Sequence, residues 1–189
     1  MKKTVCSLLI LLFSFAYSYA GGRYSFSSGK GYRGFLDFGY TIGIGNFKGL
    51  GRLDLSTSHG YQFNPYFFLG AGIGYQHCDK VNLGAIPVFI DSRFNLMKRR
   101  ITPFLGLKAG YSFDTGNDDR YQLDGPGYGF YFVPSVGARL ILRKNLAVNL
   151  SVGYTRQVID YAQYLYNNGG DYSDKESWDG ISIKAGIEF

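Results

Sequence analysis

From Gly31 onward the sequence repeats a period of two, which is the feature that most limits what the chain can become. Ile181, Ile183, Ala185, Ile187 and Phe189 are apolar, while Gly180, Ser182, Lys184, Gly186 and Glu188 between them carry no apolar bulk. Successive side chains of a strand point to opposite faces, so such a segment has one greasy face and one small or polar face. Seven earlier segments repeat it. They are centred on Leu36 to Ile42, Leu53 to Tyr61, Phe67 to Tyr75, Ile86 to Leu96, Leu105 to Phe113, Tyr128 to Leu140 and Leu146 to Tyr154, with turn residues between them.

Alternation alone also suits a soluble sandwich or a soluble ligand-binding barrel. The content of the polar face separates them. Arg33, Asp37, Asp91, Arg93, Lys108, Lys184 and Glu188 are interleaved there with glycines, a poor solvent surface but a good lining for a narrow lumen, where glycine leaves room for the few large groups. The apolar face then points outward, which requires lipid as the solvent, and in lipid only helices and closed barrels satisfy every backbone group. A mean hydropathy of -0.09 excludes a bundle of membrane helices. The expected fold is all-β, an eight-stranded antiparallel up-and-down transmembrane β-barrel over residues 32–189. Residues 1–20 read as a signal peptide, with Lys2 and Lys3 at its head, an apolar run from Val5 to Phe15 and a small-residue cleavage site at Ser18-Tyr19-Ala20; residues 21–31 form a short periplasmic segment.

Gln62 to Pro65, Met97 to Ile101 and Arg143 to Asn145 are short connections, whereas Asp114 to Gly127 and Asp160 to Asp179 are long. Outer-membrane barrels have short periplasmic turns and longer external loops, so both chain ends are expected in the periplasm. Outward Tyr40, Tyr75, Tyr111, Tyr128 and Tyr154 then mark the outer rim, and Tyr61, Phe63, Phe94 and Phe189 the inner one, as two aromatic girdles.

The stretch Gly60-Tyr61-Gln62-Phe63-Asn64-Pro65-Tyr66-Phe67-Phe68-Leu69-Gly70-Ala71-Gly72-Ile73-Gly74, followed by Ile86-Pro87-Val88-Phe89 and Asp91-Ser92-Arg93, resembles the small outer-membrane β-barrel domain family of Gram-negative bacteria. The resemblance implies a porin-like envelope protein in contact with outer-membrane lipid and lipopolysaccharide, and it implies recognition of Phe189, at the end of an alternating last strand, by the barrel-assembly machinery. It implies little about activity.

Inward charges are the most informative constellation. One antiparallel register between the first and last strands sets Arg33 opposite Glu188 and Asp37 opposite Lys184, and the turn after Leu96 sets Asp91 opposite Lys108. Unpaired charge in a poorly solvated lumen is costly, so these pairs, packed with inward Phe35, Phe68, Phe89 and Tyr131, are expected to plug the barrel. A narrow channel and a lipid-modifying enzyme of the outer leaflet are the alternatives.

Candidate chemistry is sparse. His59 falls on the outward row while Ser56 and Ser58 face inward, so no acyl-transfer triad converges. His77 and Cys78 are adjacent on a strand and should diverge, leaving Asp79 without a catalytic partner. Asp114, Asn117, Asp118 and Asp119 lack the glycine and the closing glutamate of a calcium loop. No catalysis, metal site or cofactor is expected. A pI near 9.2 does not imply nucleic-acid binding, because the positive charge divides between the lumen and the turns at Lys98-Arg99-Arg100 and Arg143-Lys144. The acidic loop from Asp160 to Asp179 holds Tyr161, Tyr164, Tyr166 and Tyr172, and tyrosine offers contact area at low entropy cost; this is the candidate surface for an extracellular partner on an expected monomer.

Overall fold

The computed structural model describes residues 30–45, 48–78, 83–115, 128–143, 146–164 and 171–189. The expected signal peptide, the acidic residues 116–127, Asp79, Lys144 and Tyr166 lie outside them. Eight strands follow in order: β1 (Gly31–Ile44), β2 (Gly51–Gln62), β3 (Phe67–Cys78), β4 (Leu83–Asn95), β5 (Ile101–Asp114), β6 (Tyr128–Arg143), β7 (Leu146–Tyr164) and β8 (Asp171–Glu188). Each pairs antiparallel with its neighbours in sequence, and β8 returns to β1, closing the barrel. Closure leaves no free edge around the wall, the condition that a sheet in hydrocarbon must meet.

The two faces divide as the alternation predicts, and the apolar one lies outside. Ile73, Leu150, Val152 and Ile183 are exposed, Leu150 and Ile183 to 60% and 55%. Charged and amide groups such as Arg93, Asp91, Gln157 and Glu188 are buried in the middle. Water would penalise exposed aliphatics on this scale, whereas acyl chains do not. Tyr40, Tyr75, Tyr111, Tyr128 and Tyr154 are exposed on this surface, as are Tyr61, Phe63 and Phe94 toward the opposite rim.

Glycine does for the lumen what a wide barrel would do by size. A methyl group added at Gly72 would lie 2.6 Å from the Phe89 ring, and one at Gly70 would lie 2.7 Å from the Phe68 ring. Gly70 is two residues along β3 from Phe68 and Gly72 is the ladder partner of Phe89, so each ring folds over a neighbouring wall position that has no side chain, and Phe68 is wholly buried. Phe35 meets Phe68 edge-on at 4.8 Å, and Phe89 lies 5.8 Å from Tyr131.

Two expectations need correction. The β1 and β8 ladder is offset by two residues from the expected one: Phe35 pairs with Glu188, Asp37 with Gly186 and Gly39 with Lys184. The cause lies at the seam, where Gly34 and Phe189 exchange both backbone hydrogen bonds at 2.8 and 2.9 Å. Gly34 is the position whose missing side chain leaves space for the Phe189 ring; the expected register would have placed that ring opposite Tyr32. The second correction concerns the last loop. The ladder between β7 and β8 continues through Val158 with Ser177 to Tyr164 with Asp171, so most of Asp160 to Asp179 is paired strand. Outside the hydrocarbon a strand needs no apolar face, so its alternation vanishes while its backbone pairing persists.

Candidate functional site: the ionic lumen

Three tiers of polar groups cross the barrel interior. At the end that carries the turns 63–66 and 96–100, Glu188 of β8 is gripped by Arg139 of β6, whose Nε and Nη2 donate to the two carboxylate oxygens at 2.6 and 2.8 Å. Arg33 of β1 approaches the same carboxylate at 3.7 Å. The ion pair expected between Arg33 and Glu188 therefore forms, but diagonally across the shifted ladder, and Arg139 makes the closer contact.

The middle tier is the densest. Arg93 of β4 donates through Nη2 to Asp37 Oδ2 at 2.6 Å and to Asp91 Oδ2 at 2.9 Å. Lys108 of β5 reaches across the lumen to Asp37 Oδ2 at 2.8 Å and to Ser56 Oγ at 2.9 Å, and Ser58 Oγ donates to Asp91 at 2.6 Å. Aromatic faces cover what the carboxylates leave: the Arg93 guanidinium lies 3.8 Å from the Phe35 centroid and the Lys108 ammonium 4.8 Å from that of Phe89. Asp91 does stand opposite Lys108 in the ladder. They do not bond to each other, however: Arg93, two residues along the same strand, takes Asp91 with its planar fork and also reaches Asp37, which Lys108 shares.

In the upper tier Asp54 of β2 accepts from Thr41 Oγ1 and from Gln76 Nε2, the latter at 2.5 Å. Arg52 donates to Gln157 Oε1 at 2.6 Å and to Gln76 at 3.3 Å, and Gln157 passes the chain to Ser112 at 2.8 Å. The buried Trp178 ring lies 4.9 Å from the Arg52 guanidinium carbon. Lys184, expected beside Asp37, instead faces Asp54 at 3.9 Å, because the shifted register places Lys184 and Asp54 on either side of Gly39.

Sequence reasoning missed Asp54, Arg52 and Arg139 as members of these networks. They carried a signal, since all three occupy polar positions of alternating segments, but pairing was sought only between adjacent strands. The bonds that matter most span the lumen, as from Lys108 on β5 to Asp37 on β1. The neutral linkers Gln76 and Gln157 have no charge to draw attention.

The other candidates fall where strand geometry sends them. His59 is on the outer surface, within 2.5 Å of the Tyr32 hydroxyl and 3.0 Å of Thr57 Oγ1, whereas Ser56 and Ser58 point into the lumen. His77 stacks outside on Tyr75 at 6.2 Å while the neighbouring Cys78 is buried. Tyr161, Tyr164 and Tyr172 belong to the paired ends of β7 and β8.

This closed barrel superposes on known ones. Neisserial surface protein A matches with a TM-score of 0.63 at 10% identity, covering 83% of this chain and 95% of that one. The N-terminal β-barrel domain of OprF from Pseudomonas aeruginosa matches with a TM-score of 0.56 at 9% identity, covering 86% and 98%. The fold is that of the small eight-stranded outer-membrane barrels. OprG from Pseudomonas aeruginosa, an outer membrane protein, adds a TM-score of 0.55 at 12% identity over 87% of this chain and 99% of its own. No protein-family model matches the sequence, and no curated protein matches it either. At these identities the likeness carries the fold and assigns no residue a role.

Proposed function

We propose that this chain is an outer-membrane barrel with a structural or surface-recognition role, closed to solutes by its ionic lumen and without catalysis of its own. The observation that carries the reading is the inversion of the two faces: an aliphatic belt outside and a bonded set of carboxylates, guanidiniums and ammoniums within. In an eight-stranded barrel the interior is about wide enough for side chains alone, and here Phe35, Phe68, Phe89 and Tyr131 occupy it together with the ion pairs. Divergence of His77 from Cys78, and of His59 from Ser56 and Ser58, supports the absence of catalysis, as does the surface pair of His59 with Thr57, beside which no carboxylate stands to orient the ring among the described residues.

Both chain ends then face the periplasm, on the side of the short turns and of the exposed Lys98, Arg99 and Arg100, where anionic lipid headgroups would meet them. Lipopolysaccharide surrounds the other rim. The assembly machinery engages the strand that ends in Phe189, and the paired ends of β7 and β8, bearing Tyr161, Tyr164 and Tyr172, present the surface to an extracellular partner. A planar bilayer containing the purified protein tests the plug: the expected record shows no steady conductance steps. Regular large steps, altered by charge reversal at Lys108, would replace this reading with that of a channel.

A further inference from the structure

One buried charge in the lumen lacks the bonds that the others have. The Lys184 side chain is 8% exposed, its ammonium makes no hydrogen bond, and its ion pair with Asp54 spans 3.9 Å, beyond hydrogen-bonding reach. Its stem crosses the wall at Gly39, where an added methyl would lie 2.6 Å from Lys184 Cγ. Asp54 already accepts from Thr41 and Gln76. A buried ammonium in this condition is costly unless something compensates it.

Lys184 also lines a cavity of about 20 Å³ on the small-residue side of the lumen, with Ser135, Ser151 and Ser182. That is more than the roughly 10–15 Å³ that one water needs. The charged groups around it are Lys184, Arg93 and Lys108 against Asp37 and Asp91. Arg93 and Lys108 are matched by the two carboxylates they bind. Lys184 shares Asp54 with Arg52, which is tied to that carboxylate through Gln76. Among the described residues one positive charge is left over at the cavity, and a water molecule would solvate it without balancing it.

We propose that this cavity is a binding site for a single monovalent anion of chloride or bromide size, held by the Lys184 ammonium and the Ser151 hydroxyl, while the Ser135 and Ser182 hydroxyls donate to the Gly106 and Gly153 carbonyls at 3.3 Å. Ser151, directly opposite Lys184 in the ladder, offers a hydroxyl on the same side, and the Arg93 and Lys108 charges offset the repulsion of Asp37 and Asp91. The cavity excludes sulfate and organic anions by size. The inference rests on the lumen being plugged, and the two fail differently: conductance steps count against the plug, whereas a closed lumen without the anion counts against this site alone.

The test uses crystals of the full barrel soaked in bromide and measured at the bromine absorption edge. An anomalous peak in the lumen beside Lys184, missing from Lys184→Met, is the expected result. Bromide found only at exposed positions, with water or nothing in the cavity, overturns the proposal. Thermal unfolding in detergent gives a second reading that works even if Lys184→Met folds poorly. The wild-type midpoint should be higher in chloride than in gluconate at equal ionic strength, since a ligand that binds only the folded state raises its stability. Equal midpoints contradict the site.

Discussion

Replacing Arg93 with methionine removes the hub of the middle tier while keeping most of its volume. The guanidinium holds Asp37 at 2.6 Å and Asp91 at 2.9 Å and covers the Phe35 ring at 3.8 Å. After the change Lys108 still serves Asp37 at 2.8 Å, but Asp91 retains only the Ser58 hydroxyl among these partners. Removing one member of a buried ion pair costs about 3–5 kcal/mol, because the remaining charge stays desolvated. Arg93→Met should therefore lose about 3–5 kcal/mol, and adding Asp91→Asn should restore most of it, since the tier then holds one cation and one anion. The assay is urea unfolding of the barrel folded in lipid vesicles. With a slope of about 1–3 kcal/mol per molar, the midpoint of the single variant should fall by at least about 1 M. A loss below about 1 kcal/mol, or a double variant no more stable than the single one, would refute the view that these charges are coupled and desolvated.

Three further outcomes follow from the packing. Gly72→Val should cost about 1–3 kcal/mol in the same assay, because even its first carbon would meet the Phe89 ring at 2.6 Å and the Thr57 carbonyl at 2.5 Å. Gly34→Leu fills the recess that takes the Phe189 ring, so folding into vesicles, followed by the mobility shift between folded and unfolded barrel on unheated gels, should slow relative to the wild-type barrel. Ile183→Arg places a charge on the exposed belt and should cost about 2–4 kcal/mol if that belt lies near the bilayer midplane, against about 0–1 kcal/mol for Tyr61→Arg close to the rim.

The wall of the barrel was legible because lipid imposes a rule on every second residue, and that rule is local. Ile181 to Phe189 shows its two faces without reference to any other strand. The seam between β1 and β8 was harder, since a shift of two residues keeps every side chain on its face and so leaves the hydrophobic pattern unchanged. What selects the register is a single fit, the Phe189 ring over Gly34, which has no period. The lumen was legible as a collection of charges but not as a set of bonds. Arg139 with Glu188, and Lys108 with Asp37, join strands that are not neighbours in the wall, and only the closed barrel brings them together. The paired ends of β7 and β8 escaped notice for the converse reason: from Asp160 to Asp179 the sequence has left the hydrocarbon, and backbone pairing there leaves no trace in side-chain polarity.

The central claim is that hydrocarbon touches the face bearing Val148, Leu150, Val152 and Ile183 and not the face bearing Asn149, Ser151 and Lys184. Spin labels placed one at a time from Val148 to Gly153, in a Cys78→Ser background reconstituted in bilayers, read it directly through collision with lipid-soluble oxygen. The account predicts strong oxygen relaxation at Val148, Leu150 and Val152 and weak relaxation at Asn149, Ser151 and Gly153. Uniform relaxation along the strand, or oxygen contact at the odd-numbered positions instead, would contradict it.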